Sequence, residues 1–90
     1  MVITDVRVKV LASDDALKGV ASITFDDIFV VHDIKIINGQ TGLFVAMPSR
    51  KGRDGTFKDI AHPIATEFRQ ELSAKVLTAY NAALEAEKAE

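Results

Sequence analysis

Near the start of the chain, apolar and polar positions alternate. Val2, Thr4, Val6, Val8 and Val10 form one set, and Ile3, Asp5, Arg7 and Lys9 the other. A period of two in β-branched residues predicts a half-buried strand, because successive side chains of an extended chain point to opposite faces. Ser13-Asp14-Asp15 opens a loop that runs to about Lys18. Residues 20–25 follow as a second strand, with Ala21, Ile23 and Phe25 on one face. Asp26-Asp27 then turns the chain into a third strand, 28–37, which is apolar on both faces for most of its length. Such a strand is either central in its sheet or covered on one face by a second subunit. Asn38-Gly39 is a turn signal, since both residues tolerate positive φ. Residues 43–47 make a fourth strand that Pro48 ends, and 56–60 a short fifth. Strands that follow one another through short turns form an antiparallel meander.

The period changes after His62-Pro63. Phe68, Leu72, Val76, Ala79 and Ala83 recur at helical spacing, and Leu77, Tyr80 and Leu84 widen their stripe. The helix begins between Pro63 and Thr66, with Thr66 a candidate cap, and spans about 64–86. The apolar-poor end, 85–90, is expected to fray. Every acid up to Asp59 is Asp and every acid from Glu67 onward is Glu, which matches turns in the first part and helix in the second. The expected fold is therefore α+β, one domain over residues 1–90. Its β-rich body, about 2–62, is an antiparallel five-stranded meander with a C-terminal amphipathic helix packed on it.

Composition narrows the functions open to this fold. Ninety residues build only a thin core, so self-association is a natural way to bury more surface. The net charge of −2 and pI of about 5.6 exclude a protein that is basic throughout. Any contact with polyanions must come from a local patch. With no cysteine there is no disulfide, thiolate metal site or thiol nucleophile, which fits a cytoplasmic protein. No apolar run is long enough to span a bilayer, and no basic-then-apolar leader is apparent, so membrane insertion is not expected.

The chemistry concentrates in residues 49–55, SRKGRDG. Arg50, Lys51 and Arg53 stand within four residues, and Lys58 follows. Gly52 and Gly55 let backbone amides approach a ligand, and Arg can grip a phosphate with two parallel hydrogen bonds. The loop reads either as a phosphate-contacting finger or as a solvated hairpin tip. Arg69 falls in the middle of the helical stripe, where it either snorkels from the core edge or joins the loop at the helix start. Lys75 lies at the stripe's margin. His32 and Asp33, adjacent on a strand, should point to opposite faces and so ligate no common ion. His62 reads as a turn residue, and two histidines without ligand spacing predict no metal or other cofactor. No motif with a catalytic mechanism is present, so an enzyme is not expected. The phenylalanines mostly occupy core-facing spacing, and Phe57, though placed to stack on a base, is expected in the core.

The segments ITDVRV, ASITFDDIFVVHDIKII, GLFVAMPSRK and FKDIAHPI resemble the bacterial septation-regulator family known as stage V sporulation protein G. The similarity runs from Val2 to about the middle of the helix. It implies a cytoplasmic homodimer that binds DNA and RNA and regulates septation, sporulation and gene expression. Carried over, the nucleic-acid contacts are Arg50, Lys51 and Arg53, with Lys58 beyond, and Arg69; Lys75 joins this set only from its place at the stripe's margin. With so few groups for base readout, sequence discrimination is expected to be low. The competing reading is a protein-interaction module of the division apparatus, recruiting a division or regulatory protein to an exposed β-edge along 28–37.

Overall fold

In the computed structural model, which describes residues 1–12 and 15–88, six strands precede one helix. The strands β1 (Ile3–Val10), β2 (Leu17–Phe25), β3 (Phe29–Gly39) and β4 (Gly42–Ala46) form an antiparallel sheet in sequence order. Two short strands, β5 (Ser49–Lys51) and β6 (Phe57–Asp59), pair with each other as a separate ribbon. The helix α1 spans Thr66–Lys88. The α+β class stands, but the five-stranded meander does not: the meander has four strands. Its continuation ends at Met47 and Pro48, both buried, and Pro48 has no amide for a further ladder. The segment around Phe57 finds its partner instead in residues that read as loop. Of the loop expected from Ser13 to about Lys18, Ser13 and Asp14 lie outside the described residues and Leu17 and Lys18 already belong to β2; of the end expected to fray, 85–90, residues 85–88 are helical and Ala89-Glu90 lie outside the described residues.

Two bulges bring the apolar positions to one face. Ile3 pairs with Phe25 and Asp5 with Thr24, leaving Thr4 as an extra residue on β1. Ile3 therefore shares the inner face with Val6, Val8 and Val10, where strict alternation would have grouped it with Asp5, Arg7 and Lys9. The Thr4 hydroxyl donates to the Thr24 carbonyl at 3.3 Å and accepts from the Asp27 amide at 3.0 Å. The second bulge sits at His32-Asp33, between the pairs Ala21–Ile34 and Ile23–Val31, and Asp33 takes φ 63° there. It keeps Val31, Ile34 and Ile36 directed inward.

The turns differ in how well they were foreseen. Asp26 and Asp27 adopt φ 53° and 57°, a conformation that Asp tolerates through local hydrogen bonding. Asn38-Gly39, in contrast, stays in the strand. Gln40 and Thr41 make the turn and Gly42 takes the positive φ, 123°. Gly39 is needed for another reason: a Cβ there would come within 2.8 Å of the Phe44 ring.

β3 lies between β2 and β4, but β4 covers only its second half, residues 35–39. The surface expected for partner recruitment along 28–37 is thus paired on both sides only from Lys35 onward, and residues 29–34 are hydrogen-bonded to β2 alone among the described strands. Ile28 itself sits in the turn before β3 and is exposed. The core forms where Leu72, Val76 and Tyr80 of α1 meet Ile23, Ile34 and Ile36 of the sheet. Phe68 extends it, with its ring centroid 6.0 Å from that of Phe25. Full burial of each such aliphatic side chain contributes about 1.5–3 kcal/mol.

The Arg69 amide donates to the Ala65 carbonyl at 3.0 Å, so Ala65 and not Thr66 is the cap. Alanine has no side-chain acceptor for the free amides of the first turn. Ala65→Ser should therefore stabilise the protein by about 1 kcal/mol, raising Tm by about 4–8 °C. Thermal unfolding followed by circular dichroism tests this, and an unchanged Tm would place the cap elsewhere.

Candidate functional site

The β5–β6 ribbon is an arm. It leaves the body at the buried pair Met47-Pro48 and returns where the Ile60 amide donates to the Pro48 carbonyl at 2.7 Å. Between those points its strands pair with each other and touch the sheet and helix little. With no layer to pack on, every residue from Arg50 to Ile60 is exposed.

Register determines what the arm displays. Arg50 pairs directly with Lys58, so two cations share one face of a ribbon only three pairs long. Like charges directly opposite one another across strands destabilise a sheet. Lys51 pairs with Phe57 on the other face, and Phe57 is 67% exposed, which corrects its expected place in the core. Phe29 and Phe44 are also largely exposed, leaving Phe25 and Phe68 as the packed phenylalanines. No periodic apolar partner accompanies Phe57 in the sequence, and that isolation was the signal that it lay outside the core.

The tip is pinned by Asp54. Its carboxylate accepts from the Thr56 hydroxyl at 2.7 Å and from the Thr56 amide at 3.1 Å. These two bonds, the hydroxyl's foremost, hold the Asp54 pKa below the ordinary aspartate value. The Gly52 amide donates to the Thr56 carbonyl at 2.7 Å, and Gly55 closes the tip at φ 86°. Arg50, Lys51, Arg53 and Lys58 border one open concavity of about 390 Å³, together with Gly52, Asp59 and Ile60. Among the described residues, none of these four cations has an ion-pair partner.

The other candidates fall elsewhere. Arg69 is exposed on the first turns of α1 and does not border the concavity. It lies within about 20° of Val76 around the helix axis, yet the sheet does not reach it. Lys75 lines a different groove, against Ile3, Asp5 and Val6 of β1. His32 and Asp33 border the same concavity on the outer sheet face, because the bulge overrides strict alternation. Ser22 lies there too, but among the described residues no hydrogen bond links the three into a nucleophile–base chain. The His62 ring nitrogen Nδ1 lies 3.1 Å from the Pro63 carbonyl, within its own turn. Among the described residues no three His, Asp or Glu side chains converge on a metal position. Among the described residues no helix is long and apolar enough to cross a membrane.

Comparison with known proteins identifies the family. The SpoVG family model matches residues 1–82. A protein of Clostridium beijerinckii is 58% identical over 90 residues, covering 100% of this chain and 99% of its own. One from Clostridioides difficile is 60% identical over 84 residues, 93% of this chain and 91% of its own. A third, from Acholeplasma laidlawii, is 55% identical over 87 residues, 97% and 93% of the two chains. All three carry the name "Putative septation protein SpoVG". A match over more than nine-tenths of the chain, taking in sheet, arm and most of the helix, makes this protein a member of the SpoVG septation-protein family.

Proposed function

We propose that this protein is a nucleic-acid-binding regulator of septation that acts as a homodimer and grips phosphates with its β5–β6 arm. The observation that carries the reading is the Arg50–Lys58 pair, two cations held opposite each other without a neutralising partner. A ribbon under no demand to meet an anion gains nothing from that arrangement, whereas a phosphate placed between them relieves the repulsion. Lys51 and Arg53 extend the positive surface around the tip, and the Asp54–Thr56 bonds hold its shape.

Contacts of this kind act on the backbone and not on base edges, so they confer affinity with little sequence preference. Phe57, exposed opposite Lys51, supplies a flat surface on the arm on which an unpaired base can stack. That pairing of cations with a ring favours single-stranded segments. Arg69 offers a further contact at the helix start. Lys75, on the β1 side, is the natural control.

The test is a salt-titrated anisotropy isotherm on duplex DNA and single-stranded RNA. Replacing Arg50, Lys51 and Arg53 with alanine should lower the salt slope on duplex by about 0.9 for every phosphate that is no longer neutralised. The fold should be unchanged and Lys75→Ala should bind as the parent does. Unaltered affinity in the triple variant would remove the arm from the site. Absence of binding by the parent even at low salt would move the function to a protein partner, and the exposed Ile28, Phe29 and Ile64 would be where to look. Separately, Phe57→Ala should cost about 1–3 kcal/mol on a single strand and much less on duplex; equal losses on both would defeat the stacking role.

The arm's tip also has a defined response to acid. Because the folded Asp54 value is lowered, its hydrogen bonds support the tip fully above the ordinary aspartate range. That support disappears as pH falls through the lowered value. NMR titration of the Asp54 carboxyl should give a midpoint below that of an unfolded aspartate, with the Thr56 amide shift following it. A midpoint at or above the unstructured value would overturn the assignment.

A further inference from the structure

The helix packs on the inner face of the sheet, and the outer face carries a second group of charges, separate from the arm. Arg7 and Lys9 lie on that face of β1, two positions apart, so their stems leave the backbone about 7 Å from each other. The register sets Arg7 beside Ser22 of β2, and Lys9 beside Val20, with Lys35 of β3 beyond. Asp5 Oδ2 accepts from Arg7 Nε at 2.9 Å, which steadies the guanidinium and leaves its terminal nitrogens to meet something else. Among the described residues Lys9 and Lys35 have no ion-pair partner.

The bulge on β3 completes the arrangement. Ala21 pairs with Ile34 and Ile23 with Val31, so Ser22 alone stands opposite both His32 and Asp33. Val31 and Ile34 both pack on the core, and in an unbroken strand the two residues between them would point to opposite faces. Here both face outward, with Asp33 at φ 63°. Re-aiming a side chain in this way is a recurrent use of bulges beside binding sites. Arg7, Lys9, Ser22, His32 and Asp33 thereby border one concavity of about 310 Å³, with half-buried Val20 among them. Among the described residues no hydrogen bond joins any two of the five.

The geometry points to a small-molecule site for a ribonucleoside monophosphate. Its phosphate sits on Arg7 and Lys9, its ribose hydroxyls donate to the Asp33 carboxylate, and its base lies against the His32 ring and Val20. The two signs of charge in the wall select this ligand. A bare phosphate gains from Arg7 and Lys9 but is repelled by Asp33. A molecule with an anion at one end and hydroxyl donors at the other satisfies both, because a carboxylate only accepts hydrogen bonds. The strands β1 and β3 stand two spacings apart, roughly 10 Å, so side chains from either side converge on a ligand of one nucleotide's length. Ser22, midway, can donate or accept. Val20, the aliphatic stems of Arg7 and Lys9 and the imidazole face offer a planar base an apolar bed. The volume stands at the small end of ligand sites, which suits one nucleotide and not a strand. No residue is shared with the arm, so the site does not depend on the arm's function.

Amide chemical shifts of the full chain, titrated with AMP, dAMP, ribose phosphate and inorganic phosphate, provide the test. AMP should move the amides of Arg7, Lys9, Ser22, His32 and Asp33 together and saturate at millimolar concentration. It should bind about threefold to tenfold tighter than dAMP, which lacks one of the two hydroxyls that reach Asp33. Asp33→Gly keeps the positive φ accessible and removes the acceptor, so it should erase that difference. Arg7→Gln combined with Lys9→Gln should weaken AMP binding at least about tenfold. Both side chains are exposed, so the circular dichroism spectrum should stay that of the parent. The variant with alanine at Arg50, Lys51 and Arg53 should move the same outer-face amides with the parent's affinity. Absence of AMP-dependent shifts at these amides overturns the site, and so does inorganic phosphate or ribose phosphate binding as tightly as AMP. A single-stranded oligoribonucleotide that moves the same amides at much lower concentration than AMP overturns the small-molecule assignment. None of these outcomes bears on the arm, whose test is the salt dependence of its own variants.

Discussion

The packing of one side of α1 on the inner face of the sheet governs how every other part of this protein is disposed. Leu72, Val76 and Tyr80 against Ile23, Ile34 and Ile36 use the only extensive apolar surface the helix has. What lies inside that interface is packed; what lies outside must be satisfied by solvent or by another molecule. Both bulges serve it. Without the extra residue at Thr4, Ile3 would point outward with Arg7, and without the one at His32-Asp33 either Val31 or Ile34 would leave the core.

The arm is the other side of this division. β5 and β6 stand beyond the reach of α1, so they carry no apolar layer and are free to be charged. A core residue is chosen by packing, but a residue on such a ribbon is chosen by what it meets. That is why a like-charge pair at Arg50 and Lys58 says more about function here than any buried position does. Similarity to septation proteins named SpoVG extends through this segment.

Much of this was legible in the chain itself. The alternation before Val10 marks a strand, the spacing from Phe68 to Leu84 marks the helix and its buried side, and residues 49–55 stand out as a basic glycine loop. The errors are local and share a cause. Asn38-Gly39 looks like a turn, yet the ladder runs on two residues because Phe44 packs over Gly39 and pairing continues to Gly42. Phe57 looks like core because it is aromatic, but no layer covers the ribbon that carries it. A helical projection puts Arg69 in the apolar stripe and Lys75 at its margin, but has no means of showing which groove each borders.

The sequence by itself determined the class of most elements, the buried face of the helix and the location of the cationic cluster, because these follow from periods of 2 and 3.6 and from the charge of single residues. Only the tertiary structure decided that β4 covers just the second half of β3 and is itself an edge, that Arg50 opposes Lys58, and that His32 and Asp33 share a concavity. Those are matters of register, and register is set by the sum of interactions across neighbouring strands. A single inserted residue in a bulge reverses the face of everything beyond it, and no local pattern announces where that residue will be.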